Sequence, residues 1–230
     1  MKISVIIPCY NEVKTIEKVI DKVREEKKYQ KEIIVIDDFS NDGTREILEN
    51  KINHKIDKLL LNEKNYGKGY SVRKGISEAD NNIILIQDAD LEYDPSDYPK
   101  LIYPIEINEA DVVYGSRFIG SEERRVLFYW HSVGNFILTT LSNMFSNINL
   151  TDMENCYKVF RSDVIKDINL KENRFGFEPE ITAKLAKKKL RIFEVGVKYY
   201  GRTYDQGKKI GWKDGISAIR CILVYNLFSD

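Results

Sequence analysis

The sequence predicts an α/β fold with a mixed, mostly parallel sheet flanked by helices. Short, continuously apolar runs alternate with segments whose apolar residues recur at helical spacing. Strands that are apolar on both faces belong to sheets covered on both sides, which is the parallel arrangement. In addition, several of the early strands end in polar, acid-bearing turns, the edge at which such sheets bind ligands.

Residues 3–7 form a β-rich run that stops at Pro8, read as a buried first strand. Val13, Ile16, Val19, Ile20 and Val23 then follow at helical spacing, with Asn11 as the expected N-cap. A second strand spans 33–36 and runs into the capping-rich turn 37–44, which leads to a helix through Ile47 and Leu48. Residues 58–61 give a third strand, and Gly67-Lys68-Gly69 opens a helix through Val72 and Ile76. The fourth strand, 83–86, stops at Gln87-Asp88. Later elements are a strand at 111–115, the run 157–160 after Asp152, a helix over 180–189, a strand at 191–197 and a helix over 216–227. The stretch 199–215 carries glycines, tyrosines and cations and reads as a loop suited to a lid. Within 126–145, Trp130, Val133, Ile137, Leu141 and Met144 make one apolar helical stripe. Such a stripe belongs to a core or homodimer contact, or to an amphipathic helix lying on a membrane.

With 230 residues and no internal repeat or low-complexity linker, the chain reads as a single domain over 1–230. Lys+Arg and Asp+Glu are both 36, so no basic excess marks a nucleic-acid binder. Cys9, Cys156 and Cys221 show neither a CxxC pair nor zinc spacing and are expected as reduced, buried thiols of a cytoplasmic protein. Two histidines supply a His-based metal site or a Ser-His-Asp triad poorly. No apolar run reaches the 18 residues of a spanning helix.

Three acidic clusters fall at strand ends: Glu12, Asp37-Asp38, and Asp88 with Asp90. Asp-x-Asp alone is as well explained by a helix cap or a solvated turn. At the end of a buried strand it becomes a device for a hard cation, Mg2+ or Mn2+, whose open positions take phosphate oxygens. Glu92 supplies a further oxygen nearby.

The runs Val5-Ile6-Ile7-Pro8-Cys9-Tyr10-Asn11-Glu12, Ile36-Asp37-Asp38-Phe39-Ser40-Asn41-Asp42-Gly43-Thr44 and Gln87-Asp88-Ala89-Asp90-Leu91-Glu92 resemble the family-2 glycosyltransferases of the GT-A fold. The resemblance is to their dolichyl-phosphate mannosyltransferase-like branch. Gly115-Ser116-Arg117, Thr151-Asp152, residues 157–161, Gly176-Phe177-Glu178-Pro179-Glu180, Arg202 and Gly207-Lys208 extend it over almost the whole chain. It implies a nucleotide-sugar-binding half, 1–115, and an acceptor half, 116–230. It implies that Pro8, Tyr10 and Glu12 line the base and ribose pocket, that Asp38 and the backbone of Ile36 bind the base, and that Asp88 and Ala89 contact the nucleotide. Asp90 and Glu92 would hold the metal, Arg117 would face the phosphate or the acceptor, and Arg202 and Lys208 would clamp the diphosphate.

The implied reaction is an inverting transfer from a nucleotide-diphospho-sugar to a polyprenyl phosphate or lipid-linked glycan precursor, at the cytoplasmic membrane face. The alternative acceptor is a glycan hydroxyl, which needs a general base; Asp152 and Glu180 are the candidates. Their structural readings are a loop hydrogen bond for Asp152 and a solvated helix face for Glu180. The chain has Asn155-Cys156-Tyr157 where polyprenyl-phosphate relatives usually carry Ser-Gly-Phe. Two rivals are a catalytically silent nucleotide-sugar binder and a nucleotidyltransferase. The latter normally has a glycine-rich first loop, which Pro8-Cys9-Tyr10-Asn11-Glu12 is not.

Overall fold

The computed structural model describes residues 1–126, 128–203, 205 and 212–228. Its strands are β1 (Lys2–Cys9), β2 (Gln30–Asp37), β3 (Lys58–Leu61), β4 (Ile83–Ile86), β5 (Val112–Ser116), β6 (Lys158–Arg161) and β7 (Ile192–Gly196). They form one sheet in the order β3-β2-β1-β4-β6-β5-β7. Every neighbouring pair is parallel except the two that involve β6, so the sheet is mixed and mostly parallel as read. The helices are α1 (Ile16–Glu25), α2 (Thr44–Glu46), α3 (Lys68–Glu78), α4 (Tyr98–Glu106), α5 (Tyr129–Ser146), α6 (Ser162–Lys166), α7 (Phe177–Lys187) and α8 (Trp212–Leu227).

The apolar spacing places the helices. In α1 the buried residues are Ile16, Val19, Ile20 and Val23, the predicted stripe. Residues 33–36 of β2 and 83–86 of β4 are buried throughout, as strands covered on both faces must be. On α3, Gly75 faces β1 and β2. A Cβ there would collide with Ile6 Cγ2 and come 2.9 Å from Ile36 Cδ1. The helix accepts a glycine because it lies too close to the sheet for a side chain.

Four local expectations differ from the structure. Asn11 is not the cap of α1, which starts after Thr15. Asn11 instead has a left-handed backbone (φ 52°), takes its own amide to Ser40 Oγ and accepts from the Asn41 amide, joining the ends of β1 and β2. The helix through Ile47 and Leu48 is one α-turn followed by a π-turn, Ile47–Lys51. A helix at Tyr98–Glu106 was not expected; it carries an internal proline, Pro104. Helix α8 begins at Trp212, so the loop read over 199–215 is shorter. Residues 204 and 206–211 of that loop lie outside the described residues.

The stripe on α5 is helical, but of its residues Leu141 packs against the core while Trp130, Ile137 and Met144 do not. The buried side chains of α5 are Asn135, Thr139 and Ser142, whereas Trp130, Phe136, Ile137 and Met144 are exposed. No described helix is long and apolar enough to cross a membrane. All three cysteines are buried, and none forms a disulfide.

The chain runs from β1 outward to β2 and β3, then returns to place β4 on the other side of β1. This reversal opens a crevice at the carboxyl ends of β1 and β4, the usual ligand position in open α/β sheets.

Candidate active site

The turn that follows β4 carries the Asp-Ala-Asp segment, and a buried polar network fixes it. Tyr98 Oη and Tyr157 Oη both donate to Gln87 Oε1, at 2.8 and 2.7 Å. Gln87 Nε2 donates to the Asp88 carbonyl at 3.0 Å. Leu91 is held in the left-handed region (φ 63°), where a branched apolar residue is strained, while the Glu92 amide donates to Asp90 Oδ1. Replacing Gln87 by Leu keeps volume but strands two buried hydroxyls. We expect a loss of about 2–4 kcal/mol in urea unfolding; wild-type stability would show that the network does not fix the turn.

The two aspartates face different cations. Asp88 pairs with Lys68 at 3.0 Å, and Lys68 reaches Glu178 at 3.2 Å. Burial opposes ionisation of Asp88, yet the Lys68 charge prevails and holds its carboxyl below the usual range. Asp90 pairs with Arg202 at 2.9 Å, and Arg202 also spans both oxygens of Glu12 at 3.1–3.2 Å. Burial first, then the charges of Asp88 and Glu92, push the Asp90 carboxyl up to about 8 against the pull of Arg202. Glu92 fastens the segment that carries Arg202: its oxygens accept from Tyr199 Oη at 3.0 Å and from the Arg202 amide at 2.6 Å.

Across the cavity, Arg117 at the end of β5 meets Asp152 in a two-pronged ion pair, Nε to Oδ2 at 2.7 Å and NH2 to Oδ1 at 2.6 Å. The Arg117 amide donates to the same carboxylate, and its NH2 also reaches Asn135 of α5. Glu194 accepts from the Thr151 and Asp152 amides and so fixes the pair from behind.

These groups surround a cavity of about 370 Å³ at the predicted sheet edge. Of the residues singled out from the sequence, Pro8, Tyr10, Glu12, Asp38, Asp88 and Ala89 line it. So do Asp90, Glu92, Arg117 and Arg202. Asp38 spends its carboxylate on the wall, accepting from Asn62 Nδ2 and from the amides of Tyr66 and Gly67.

Three do not line it. Ile36 is fully buried inside β2, paired with Pro8 and Leu60. Asp152 lies behind Arg117. Glu180 is fully buried rather than on a solvated face; it accepts from the amides of Lys171 and Glu172 and pairs with Lys184, so its carboxylate shapes a loop. Lys208 lies outside the described residues.

Lys68, Arg174, Glu154 and Glu178 line the cavity without having been singled out. Lys68 was legible as the cation between two glycines at a helix start. Glu178 stood two positions before the acid chosen. Glu154 gave no signal, since its placement depends on the sheet bringing residues 152–158 beside β4 and β5.

The donor chemistry fits a hard divalent cation: Asp90 and Glu92 offer only oxygens, and each carboxylate oxygen keeps a second lone pair. Among the described residues no three ligating side chains gather into an all-protein cage. A site built from one or two carboxylates plus substrate phosphate needs none.

Comparison with known proteins agrees with this geometry. Residues 4–168 match the glycosyl transferase family 2 domain. The chain is 31% identical over 224 residues to an uncharacterized protein of Methanocaldococcus jannaschii, covering 89% of this chain and 93% of that one. It is 29% identical to the dolichol-phosphate mannosyltransferase of Pyrococcus furiosus over 91% of its own length, spanning 61% of that enzyme. The Mycobacterium tuberculosis glucosyl-3-phosphoglycerate synthase, solved with Mn2+, UDP and glucosyl-3-phosphoglycerate, shares the fold at a TM-score of 0.76 and 18% identity. That match covers 100% of this chain and 81% of that one. With the family domain matched over most of its length and the acidic turn seated at the expected sheet edge, this chain belongs to glycosyl transferase family 2.

Proposed function

We propose that the chain transfers a sugar, with inversion, from a nucleotide-diphospho-sugar to a polyprenyl phosphate at a membrane surface. The observation that carries the acceptor is the position of Arg117. Its NH2 touches Asn135, and beside it a groove of about 670 Å³ runs along α5, lined by Phe118, Phe136, Met144 and Thr151 among others. A guanidinium bonded to Asn135 in the wall of a groove that also carries Phe118, Val133, Phe136 and Met144 suits a phosphate on an apolar chain. Helix α5 contains no Asp, Glu, Lys or Arg, and its exposed face holds Trp130, Phe136, Ile137 and Met144. That outward apolar face supports contact with an acyl chain or a bilayer surface, while the Lys/Arg-rich polar face of a typical interfacial helix is missing from α5. Residues 1–115 then supply most of the nucleotide wall, and residues 116–230 supply the acceptor groove and reach back to the donor through Arg202.

The donor's nucleotide lies over the ends of β1, β2 and β4, against Pro8, Tyr10, Glu12 and the wall set by Asp38. Asp88, anchored by Lys68, and Ala89 border it. Arg202 exchanges its carboxylate partners for the diphosphate, and the Tyr199–Arg202 segment, fastened by Glu92, closes the mouth. A divalent cation held by Asp90 and Glu92 would offset the charge that grows on the departing diphosphate. Arg117, held by Asp152, orients the acceptor phosphate for attack from the opposite face. A phosphate is already anionic, so positioning and leaving-group stabilisation carry the rate, and no base is required.

Two measurements check this reading. With an α-linked donor and polyprenyl phosphate, the product should be the β-linked sugar phosphate by NMR. Transfer to an oligosaccharide hydroxyl with no turnover on the lipid phosphate would replace the acceptor. Second, Mn2+ binding followed by calorimetry should strengthen about tenfold per unit between about pH 6 and 8, because the ion must displace the proton that Asp90 holds. A flat affinity over that window would remove Asp90 from the metal site.

A further inference from the structure

Glu178 and Glu154 line the cavity, and each has one buried carboxylate oxygen without a hydrogen-bond partner, Glu178 Oε2 and Glu154 Oε1. The other polar groups of the 152–158 segment are satisfied within the protein. Asp152 holds Arg117, Asn155 bridges Asp152 and the Tyr157 amide, and Lys158 donates to the carbonyls of Met153 and Asn155. A buried acceptor left unmet is unfavourable, so two such oxygens on residues that line one cavity call for a ligand.

Their position says which part of a ligand they meet. Glu178 shares Lys68 with Asp88, placing it beside the Asp-Ala-Asp turn, and Glu154 lines the same cavity two residues after Asp152, which holds Arg117. The pair therefore sits between the turn that takes the diphosphate and the arginine that takes the acceptor, where the transferred group must lie. Burial, then the neighbouring Glu178 charge, push Glu154 up to about 8, so at neutral pH it keeps a proton and can donate as well as accept.

We propose that Glu154 and Glu178 are the recognition residues for the hydroxyls of the transferred sugar, and that this sugar is an uncharged hexose rather than a uronate. The inference rests on the nucleotide-sugar reading above. A hydroxyl brings each orphan oxygen the donor it lacks and adds no charge. A uronate carboxylate brings no donor and stands against Glu178 in a cavity already rich in acids. Sites built to bond a hydroxyl discriminate strongly, because the wrong ligand leaves their buried groups unpaired.

The test separates the sugar from the nucleotide. Affinities of UDP, GDP, UDP-glucose, GDP-mannose, UDP-glucuronate and GDP-mannuronate are measured by calorimetry with Mn2+ and no acceptor, for the wild type, Glu154→Ala and Glu178→Gln. Each variant should weaken the preferred nucleotide-hexose by about tenfold or more while leaving the matching nucleoside diphosphate within about twofold. The matching uronate should bind the wild type at least about tenfold more weakly than the hexose. Equal loss for nucleotide and nucleotide-sugar, unchanged affinity for both, or a uronate bound as tightly as the hexose would overturn the proposal. Unchanged donor affinity with a fall only in turnover would also overturn it, by moving the pair to the acceptor. If the wild type binds none of the six, the donor reading falls and this proposal with it.

Discussion

Asp152→Ala is expected to cost about 3–5 kcal/mol of stability and to remove transfer activity, because it leaves the Arg117 guanidinium unpaired in a site where its side chain is only 18% exposed. The Asp152 side chain is fully buried and accepts from three nitrogens of Arg117. Burial opposes its ionisation, but the Arg117 charge and hydrogen bonds win and hold the carboxyl below the usual range. An aspartate depressed in this way contributes stability that is present above its unfolded value, about 3.9, and lost as pH falls through the lower folded value. Urea unfolding at neutral pH and at about pH 3 checks both points: the wild type should lose stability on acidification, and the variant should lose less. Asp152→Asn keeps an acceptor for Arg117 and should be the milder change. A fully stable, active Asp152→Ala would show that the pair neither supports the fold nor sets the arginine.

Asp90→Ala should lower turnover by about a thousandfold or more, the scale expected when leaving-group charge loses its main stabiliser. Its effect on stability should be small or favourable. In the folded protein the Asp90 carboxyl is pushed up to about 8 by burial, Asp88 and Glu92, so the ionised form is disfavoured there. A carboxyl raised in this way favours folding fully below its unfolded value, about 4, and that contribution is lost as pH rises through about 8. The variant should therefore gain on the wild type in urea unfolding as pH rises across that window, with Arg202 still paired to Glu12. This combination of lost activity and retained stability marks a residue kept for chemistry. Wild-type-like turnover would take Asp90 out of the reaction.

Much of this arrangement was legible in the residues themselves. Continuous apolar runs located all four early strands, and their polar ends located the cavity, because side-chain period and strand direction are local properties. Asp88, Asp90, Arg117 and Arg202 were found on that basis together with the family resemblance. What escaped depends on contacts distant in sequence. Asp38 lines the cavity as expected, and its carboxylate also accepts from Asn62, Tyr66 and Gly67, partners that no local pattern announces. Glu180 and Glu178 lie two positions apart on α7, and only the packing of that helix shows that Glu178 faces the cavity while Glu180 fastens a loop. The stripe on α5 was visible, but periodicity alone does not tell an inward face from an outward one. The polar Asn135, Thr139 and Ser142 turned out to face the protein.

Transfer is followed as nucleoside diphosphate release by the intact protein with Mn2+ and a panel of nucleotide-sugars, with and without polyprenyl phosphate. Release from one donor should depend on the lipid phosphate and disappear in Asp90→Ala. No release from any donor, with nucleotide-sugar still bound, would contradict the transferase reading and leave a silent binding protein.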